Sequence, residues 1–306
     1  MPTLLKIKEA LTNPVWLAYR VCARLDRPAL WHRYASLARN AGLQGLYFIL
    51  SLDCDTVDDI SVVWEVHSRL VDMGIKPVYA VPGELLQKGE KIYRRIHESG
   101  GEFLNHGYTE HTFFDRAQGA YRSCFFYDTL SRVKARQDII AGDACVREVL
   151  GTRPQGFRTP HFGTFQKPQQ LRFLYGVLNE LGYRFSTSTM PIYGFRYGPV
   201  FRRFGVWEIP VSGQEISPLS ILDSWACFMA PDRTLSPECY SREGEALAKT
   251  YYKLGVGLLN YYVDPAHIHD QELFYQTVAR WHQVAQPLQY TDLLDKLAES
   301  AANAGR

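Results

Sequence analysis

Two short stretches hold residue types that could do hydrolytic chemistry together. Leu46–Asp59 carries Asp53 and Asp55, and Gly101–His111 ends with His106 and His111. One Asp with two His is a ligand set for zinc or another divalent transition ion with open positions, cobalt and nickel included. A second carboxylate beside such a set can act as general base on a metal-bound water. Residues two apart in extended chain point the same way, so one strand end can aim Asp53 and Asp55 into one cleft. The plainer alternative is that one Asp caps the next helix and the other is solvated.

The elements that would position these groups are legible as alternating strands and helices. Six of the seven residues Leu46–Leu52 are apolar, with Gly45 before them, which reads as a buried parallel strand. A helix from Asp58-Asp59 to Gly74 follows, with apolar Ile60, Val63, Trp64, Val66, Leu70 and Val71. Lys76–Val81 reads as a strand, Glu90–Glu98 as a helix, and Glu102–Asn105 as the strand that delivers His106. Further on, the pattern predicts helices over Asp128–Leu150, Lys167–Gly182, Glu238–Leu254, Glu272–Ala285 and Thr291–Ala302. It predicts strands over Gly156–Thr159, Tyr183–Thr189 and Gly257–Val263. This alternation is that of a parallel α/β sheet or barrel, which places its chemistry at the carboxyl ends of strands. Thr112–Phe126 breaks the pattern and reads as an irregular aromatic and arginine-rich loop beside the site, either a substrate loop or a packed surface loop. Residues 191–237 read as short strands and loops, in which Trp207 and Trp225 either line a pocket or pack in the core.

Several of these residues together resemble a known family. Leu52-Asp53-Cys54-Asp55, Asn105-His106-Gly107-Tyr108 with His111, Phe157-Arg158-Thr159-Pro160 and Trp207-Glu208-Ile209-Pro210-Val211 look like the motifs of the polysaccharide deacetylases, also called the NodB homology domain or carbohydrate esterase family 4. The resemblance runs in order from about Gly45 to Leu294. The Asp-x-Asp form is similar to the branch with peptidoglycan deacetylases, allantoinase-like enzymes and lipid-linked aminoarabinose deformylases. The resemblance implies a distorted (β/α)7-type barrel over residues 45–306, preceded by an N-terminal helical appendage over 1–44. It also implies Asp53 as base, Arg158 as the residue that orients it, and Asp55, His106 and His111 as metal ligands.

The sequence departs from the family pattern in places that matter. The two histidines stand five apart, whereas the family's usual spacing is four, a position taken here by Glu110. A loop or one-residue bulge can still bring His111 in; the alternative is an Asp-His-Glu set with His111 behind it. Relatives commonly carry an Asp where this chain has Ser186-Thr187-Ser188-Thr189. They also carry a His-Pro that serves as general acid, where this chain has Asp264-Pro265. Either His267 supplies the acid from the loop, or Asp264 does so as a protonated carboxyl, or the acid is lost. His161 reads as a packing residue.

Composition narrows the partners. Hydrophobic content of 46% and charged content of 22% fit an ordinary globular protein, and a net charge of +2 gives no reason to expect nucleic acid. Six scattered cysteines without a CxxC pair fit reduced thiols rather than a disulfide scaffold. No secretory signal or run of about eighteen apolar residues is visible, so a cytoplasmic location is expected. Residues 1–44 read as helices broken at Pro14 and Pro28, rich in Arg and aromatics. They either pack across the barrel end or touch an anionic membrane surface, the inner face of the membrane in this reading. The expectation is a metal-dependent N-deacetylase, or deformylase, of a sugar in O-antigen or capsule synthesis, with a glycan or sugar precursor as partner. The alternatives are an allantoinase-like hydrolase of a small amide and a catalytically silent carbohydrate binder.

Overall fold

The computed structural model describes residues 14–229 and 236–304. Two helices come first, α1 (Pro14–Leu25) and α2 (Arg27–Asn40), then β1 (Leu46–Asp53), α3 (Val57–Asp72), β2 (Val78–Val81), α4 (Gly83–Lys88), α5 (Glu90–Glu98) and β3 (Glu102–Asn105). A hairpin, β4 (Thr112–Asp115) and β5 (Ala120–Ser123), precedes α6 (Arg132–Leu150), β6 (Gly156–Phe157), α7 (Pro168–Glu180), β7 (Phe185–Ser186) and α8 (Pro191–Tyr197). The chain ends with β8 (Phe201–Arg203), β9 (Val206–Glu208), α9 (Pro237–Leu254), β10 (Gly257–Val263), α10 (Pro265–Ile268), α11 (Glu272–Val284), β11 (Gln286–Pro287) and α12 (Tyr290–Ala304).

Seven strands run parallel in the order β10-β1-β2-β3-β6-β7-β9, with β8 antiparallel on the β9 edge and β11 beside the start of β1. The sheet curls until its two ends meet. The ring closes without a ladder: Ser212 N donates to Asn260 O at 2.8 Å, and Asn260 Nδ2 donates to the carbonyls of Ile209 and Pro210 at 3.1 and 3.0 Å. Asn260 lies on β10, so these bonds join the segment after β9 to the opposite end of the sheet. This is the expected α/β architecture, a distorted seven-stranded barrel.

Strand alternation divides the core and decides which way the site faces. Phe48, Leu50 and Leu52 of β1 pack outward, in one cluster with Val63 and Val66 of α3 and Trp281 of α11. Ile49 faces the other way, with Tyr290, Leu293, Leu294 and Leu297 of α12, which fills that side of the barrel. Asp53 falls on the face of Ile49 and Ser51 by the same period of two. The outer layer tolerates close helix approach only where side chains vanish. A Cβ on Gly244 of α9 would sit 2.1 Å from Thr277 Cγ2 of α11, and Trp281 Nε1 donates to the Gly244 carbonyl at 2.9 Å.

The N-terminal segment divides at Asp26, whose side chain caps α2 by accepting from Ala29 N at 3.0 Å. Pro28 is therefore in a first helical turn, where a missing N–H leaves nothing unpaired, and it does not break a helix. Leu30, Trp31 and Tyr34 of α2 are buried against Phe195 and Tyr251, and the Tyr34 hydroxyl donates to Leu258 O at 2.9 Å. Lys6 and Lys8 of the basic N-terminal stretch lie outside the described residues.

Two sequence expectations are corrected here. Thr112–Phe126 is not irregular, because β4 and β5 pair in antiparallel register from Thr112↔Ser123 to Asp115↔Ala120. The hairpin stands clear of the core on both faces, so it lacks the apolar alternation that marks a half-buried strand. Within 191–237, Pro191–Tyr197 is a helix, begun by Pro191 in its first turn and stopped at Gly198. A run dense in Gly, Pro and aromatics hid it. The six-residue α4 escaped notice altogether, being shorter than two helical turns.

Candidate metal centre

The carboxyl end of β1 sets the first group in place. Beyond Asp53, Cys54 N still donates to Ala80 O of β2, so Asp55 is the first residue free of the ladder. Thr56 then caps α3 in a reciprocal box with Asp59, so the capping duty falls to Asp59 and leaves Asp53 and Asp55 for the cleft. Asp55 Oδ1 lies 2.9 Å from His111 Nε2 and 3.4 Å from His106 Nε2.

The histidines arrive on a loop and not on a helical turn, which is how a spacing of five is accommodated. β3 ends at Asn105, whose Oδ1 accepts from Gly107 N at 2.9 Å. Buried Asp138 of α6 then gathers the loop, accepting from Tyr108 N, Thr109 N, Thr109 Oγ1 and the Tyr127 hydroxyl. Gly107 is at φ +80°, and a Cβ there would meet Asp138 Oδ2 at 2.4 Å, so only glycine fits. At the far end His111 opens the hairpin: its carbonyl accepts from Cys124 N at 2.7 Å and from His161 Nε2 at 3.0 Å. Glu110, the competing ligand, faces outward instead and is paired with Lys88 of α4. His161 Nε2 is directed at the backbone carbonyls of His111 and Cys124 and lies outside the Asp55, His106 and His111 group.

These three residues fit a divalent ion. Asp55 Oδ1, His106 Nε2 and both ring nitrogens of His111 are buried with no hydrogen-bond partner, although they crowd one another. Two atoms each about 2.1 Å from one ion stand about 3 to 3.4 Å apart, which is the separation seen across Asp55. His106 Nδ1 is 2.8 Å from the Arg158 carbonyl, to which it must donate, so its Nε2 carries the lone pair a metal needs. The rings of His106 and His111 meet edge to face at 4.8 Å. Without an ion, burial raises the Asp55 carboxyl, but His111 and His106 outweigh it and hold it well below its usual range. An acidic Asp between two basic imidazoles is a site that favours a cation.

Beside this centre Asp53 is gripped by Arg158, which follows β6 and is fully buried. The Arg158 Nη2 donates to the Tyr290 hydroxyl at 2.9 Å, and that hydroxyl donates to Asn260 Oδ1 at 2.7 Å. Burial raises the Asp53 carboxyl, Arg158 and His106 oppose it, and the balance leaves it above the ordinary value. A carboxylate raised in this way is a better proton acceptor than a free Asp.

The fourth group follows the end of β10. The β1–β10 register ends at Leu52↔Val263, and Asp53 and Asp264 are the next residues of the two chains. Asp264 Oδ2 is 2.8 Å from His267 Nδ1, and Ser224 Oγ is 3.2 Å from the same nitrogen. Burial lifts the Asp264 carboxyl to about 6 against the pull of His267, with Asp55 and Asp53 adding to the rise. The His267 pKa is lowered by burial but raised more by Asp264, for a net increase. Asp59 Oδ1 accepts from Ala266 N at 2.9 Å and so ties the short helix bearing His267 to the start of α3. Trp225 packs its ring 5.5 Å from His267, whereas Trp207 sits against the core.

Sequence reasoning did not single out Tyr290, Asn260, Asp138 or Ser224. Each acts across more than twenty residues of chain, and none carries a local motif. The Ser186–Thr189 stretch presents no carboxylate to the site. It is held by buried Glu208, whose Oε1 accepts from Ser188 N, Thr189 N and Thr189 Oγ1.

No family model and no curated protein matches the sequence. Solved structures do match in fold. A protein described as a polysaccharide deacetylase from Mycobacterium smegmatis superposes with a TM-score of 0.59 at 16% identity, covering 85% of this chain and 92% of its own. One so described from Pseudomonas aeruginosa PAO1 gives 0.57 at 13% identity, over 76% and 71%. The chain has the polysaccharide deacetylase fold. The PuuE allantoinase shares it, with a TM-score of 0.58 at 12% identity over 82% of this chain and 89% of that one. In a polysaccharide deacetylase fold, the Asp55, His106 and His111 group stands where the strand ends converge.

Proposed function

We propose that the protein is a metal-dependent hydrolase that removes an N-acetyl or N-formyl group from an amino sugar. The observation that carries this is the Asp55, His106 and His111 group, whose ligand atoms are buried without hydrogen-bond partners, set beside an Asp53 held by Arg158. A bound divalent ion, with zinc the best fit to an Asp-His-His set and cobalt or nickel close behind, would polarise the acyl carbonyl and acidify a water. Asp53 takes the proton of the attacking water, and Arg158 keeps its carboxylate aimed and ionised. The Asp264 and His267 pair gives a proton to the departing amine; Asp264 feels the charges of Asp55 and Asp53 across the site. The products are the free amino sugar and acetate or formate. His106 keeps its lone pair on the ligand side because its other nitrogen donates to the Arg158 carbonyl.

The exposed aromatic hairpin and the arginines around it suit a glycan or its precursor, and O-antigen or capsule synthesis is the setting we infer. Six scattered cysteines without a CxxC pair, Cys22 exposed among them, favour a reducing compartment such as the cytoplasm. The test is acetate or formate release from N-acyl amino sugars by the metal-loaded protein, compared with Asp53→Asn. Release that depends on Asp53 supports the reading; a loaded protein that binds sugar without turnover replaces it with a silent carbohydrate binder. The shared fold of the PuuE allantoinase favours one second reading, hydrolysis of a small amide, and allantoin in the same assay separates the two.

A further inference from the structure

Helix α1 has two apolar faces, and the fold uses only one. Val15 and Trp16 line a shallow cleft with Ile192, Tyr193 and Arg196, and Tyr19 and Ala23 pack on the main core cluster. On the opposite side Leu17, Val21 and Leu25, one helical turn apart in succession, are 42%, 45% and 82% exposed. Ala18 and Cys22 extend the same apolar strip into solvent. Arg20 and Arg24 stand along one edge of the strip, both exposed.

We infer that this outer face of α1 docks on an anionic membrane surface, lying in the plane of the headgroups. The charge pattern selects that occupant. Residues 1–40 hold seven Lys or Arg against two acidic residues, a net +5, whereas the whole chain is +2 and the remainder therefore −3. The fold engages Arg27 with Glu215 and Arg39 with the Leu254 carbonyl, but leaves the cations beside the apolar strip in solvent. A cationic row beside an apolar strip is how an interfacial helix meets acidic lipid. A second copy of the chain fits less well. A twelve-residue helix is about 18 Å long and 10 Å wide, so its outer face offers about 200 Å², against the roughly 800 Å² per partner of a stable dimer. Two-fold pairing of one helix face would also bring like charges together. Among the described residues no helix is long and apolar enough to cross a membrane, so the contact is peripheral. The inference does not rest on the hydrolase reading, since lipid binding is measured without substrate or metal.

The experiment is co-sedimentation of the full chain with vesicles of phosphatidylcholine alone and of an equimolar mixture with phosphatidylglycerol. Binding is expected on the mixed vesicles only. Arg20→Ala with Arg24→Ala should weaken it about thirtyfold, at about tenfold or less per cation. Val21→Asp with Leu25→Asp should abolish it while thermal unfolding stays at the wild-type temperature, because both side chains already face solvent. Failure to sediment with acidic vesicles overturns the inference, as does binding that neither double variant changes. A dimer in light scattering that Val21→Asp with Leu25→Asp dissolves, without lipid binding, assigns the face to a second copy instead.

Discussion

Tyr290 holds Arg158 from the far end of the chain: its hydroxyl accepts from Arg158 Nη2 at 2.9 Å while Arg158 Nη1 grips Asp53. The last helix thus fixes the guanidinium that fixes the proposed base. Tyr290→Phe leaves Arg158 Nη2 and Asn260 Oδ1 without this partner in a dry environment. Losing a buried hydrogen bond to a charged group costs about 1.5–3 kcal/mol, to be read by denaturant unfolding. Turnover should fall about ten- to hundredfold with little change in KM, as for other groups that orient a reacting residue indirectly. A KM effect alone would place Tyr290 in substrate binding instead.

Metal content separates the three proposed ligands from their neighbours. Wild type should carry about one divalent ion per chain, and Asp55→Ala or His106→Ala should lose it. Glu110→Ala and His161→Ala should keep it, because Glu110 is paired with Lys88 and His161 Nε2 points at backbone carbonyls. An ion held at a hundred times its dissociation constant stabilises the fold by about 2.7 kcal/mol, so a chelator should lower the melting temperature of wild type and not of Asp55→Ala. Metal loss in Glu110→Ala with retention in His111→Ala would move the third ligand to Glu110.

The sequence announced the strand-end carboxylates because an apolar run ends at Asp53, and the histidines because a short strand runs into polar residues at His106; β3 and β10 have the bounds that the pattern predicted. It could not announce Asn260, which sits unmarked inside an apolar strand yet closes the barrel, nor Asp138, which reads as one more polar residue on a long helix. Their roles exist only once remote elements meet. The hairpin was illegible for a different reason. Its residues are exposed or only half-buried on both faces, so burial wrote no apolar alternation into it. The His106 to His111 spacing looked like a defect only against a helical turn; on a loop gathered by Asp138 it carries no such penalty.

The pH dependence of turnover should be bell-shaped, with two assignable limbs. Asp53 must be ionised to accept a proton, so the rate rises as pH climbs through its pKa, which burial has raised. The donor must be protonated, so the rate falls as pH climbs through the pKa of the Asp264 and His267 pair, where burial has pushed Asp264 up to about 6. Asp264→Asn removes the carboxyl that raises His267, so the descending limb should move to lower pH and the maximum rate should fall about a hundredfold. A profile of kcat/KM against pH for both proteins reads this directly. An unchanged descending limb in Asp264→Asn would exclude the pair as the proton donor.

The hairpin offers the sharpest test of whether the substrate is a glycan. It is rooted on the centre itself, through Cys124 N on the His111 carbonyl and Thr112 Oγ1 on the Asp55 carbonyl, yet Phe113 and Phe114 each keep 50% of their surface in water. Phe113→Ala should change stability by less than about 0.5 kcal/mol, whereas Phe114→Ala loses an edge-to-face contact with Tyr121 at 5.2 Å and should cost about 0.5–1.5 kcal/mol. If Phe113 and Phe114 stack on sugar rings, each contributes about 0.5–1.5 kcal/mol, a two- to tenfold rise in KM on an oligosaccharide. A monosaccharide too short to reach the hairpin should show no change. Should kcat fall on both substrates while KM holds, the hairpin serves to fix His111 and carries no part of the substrate.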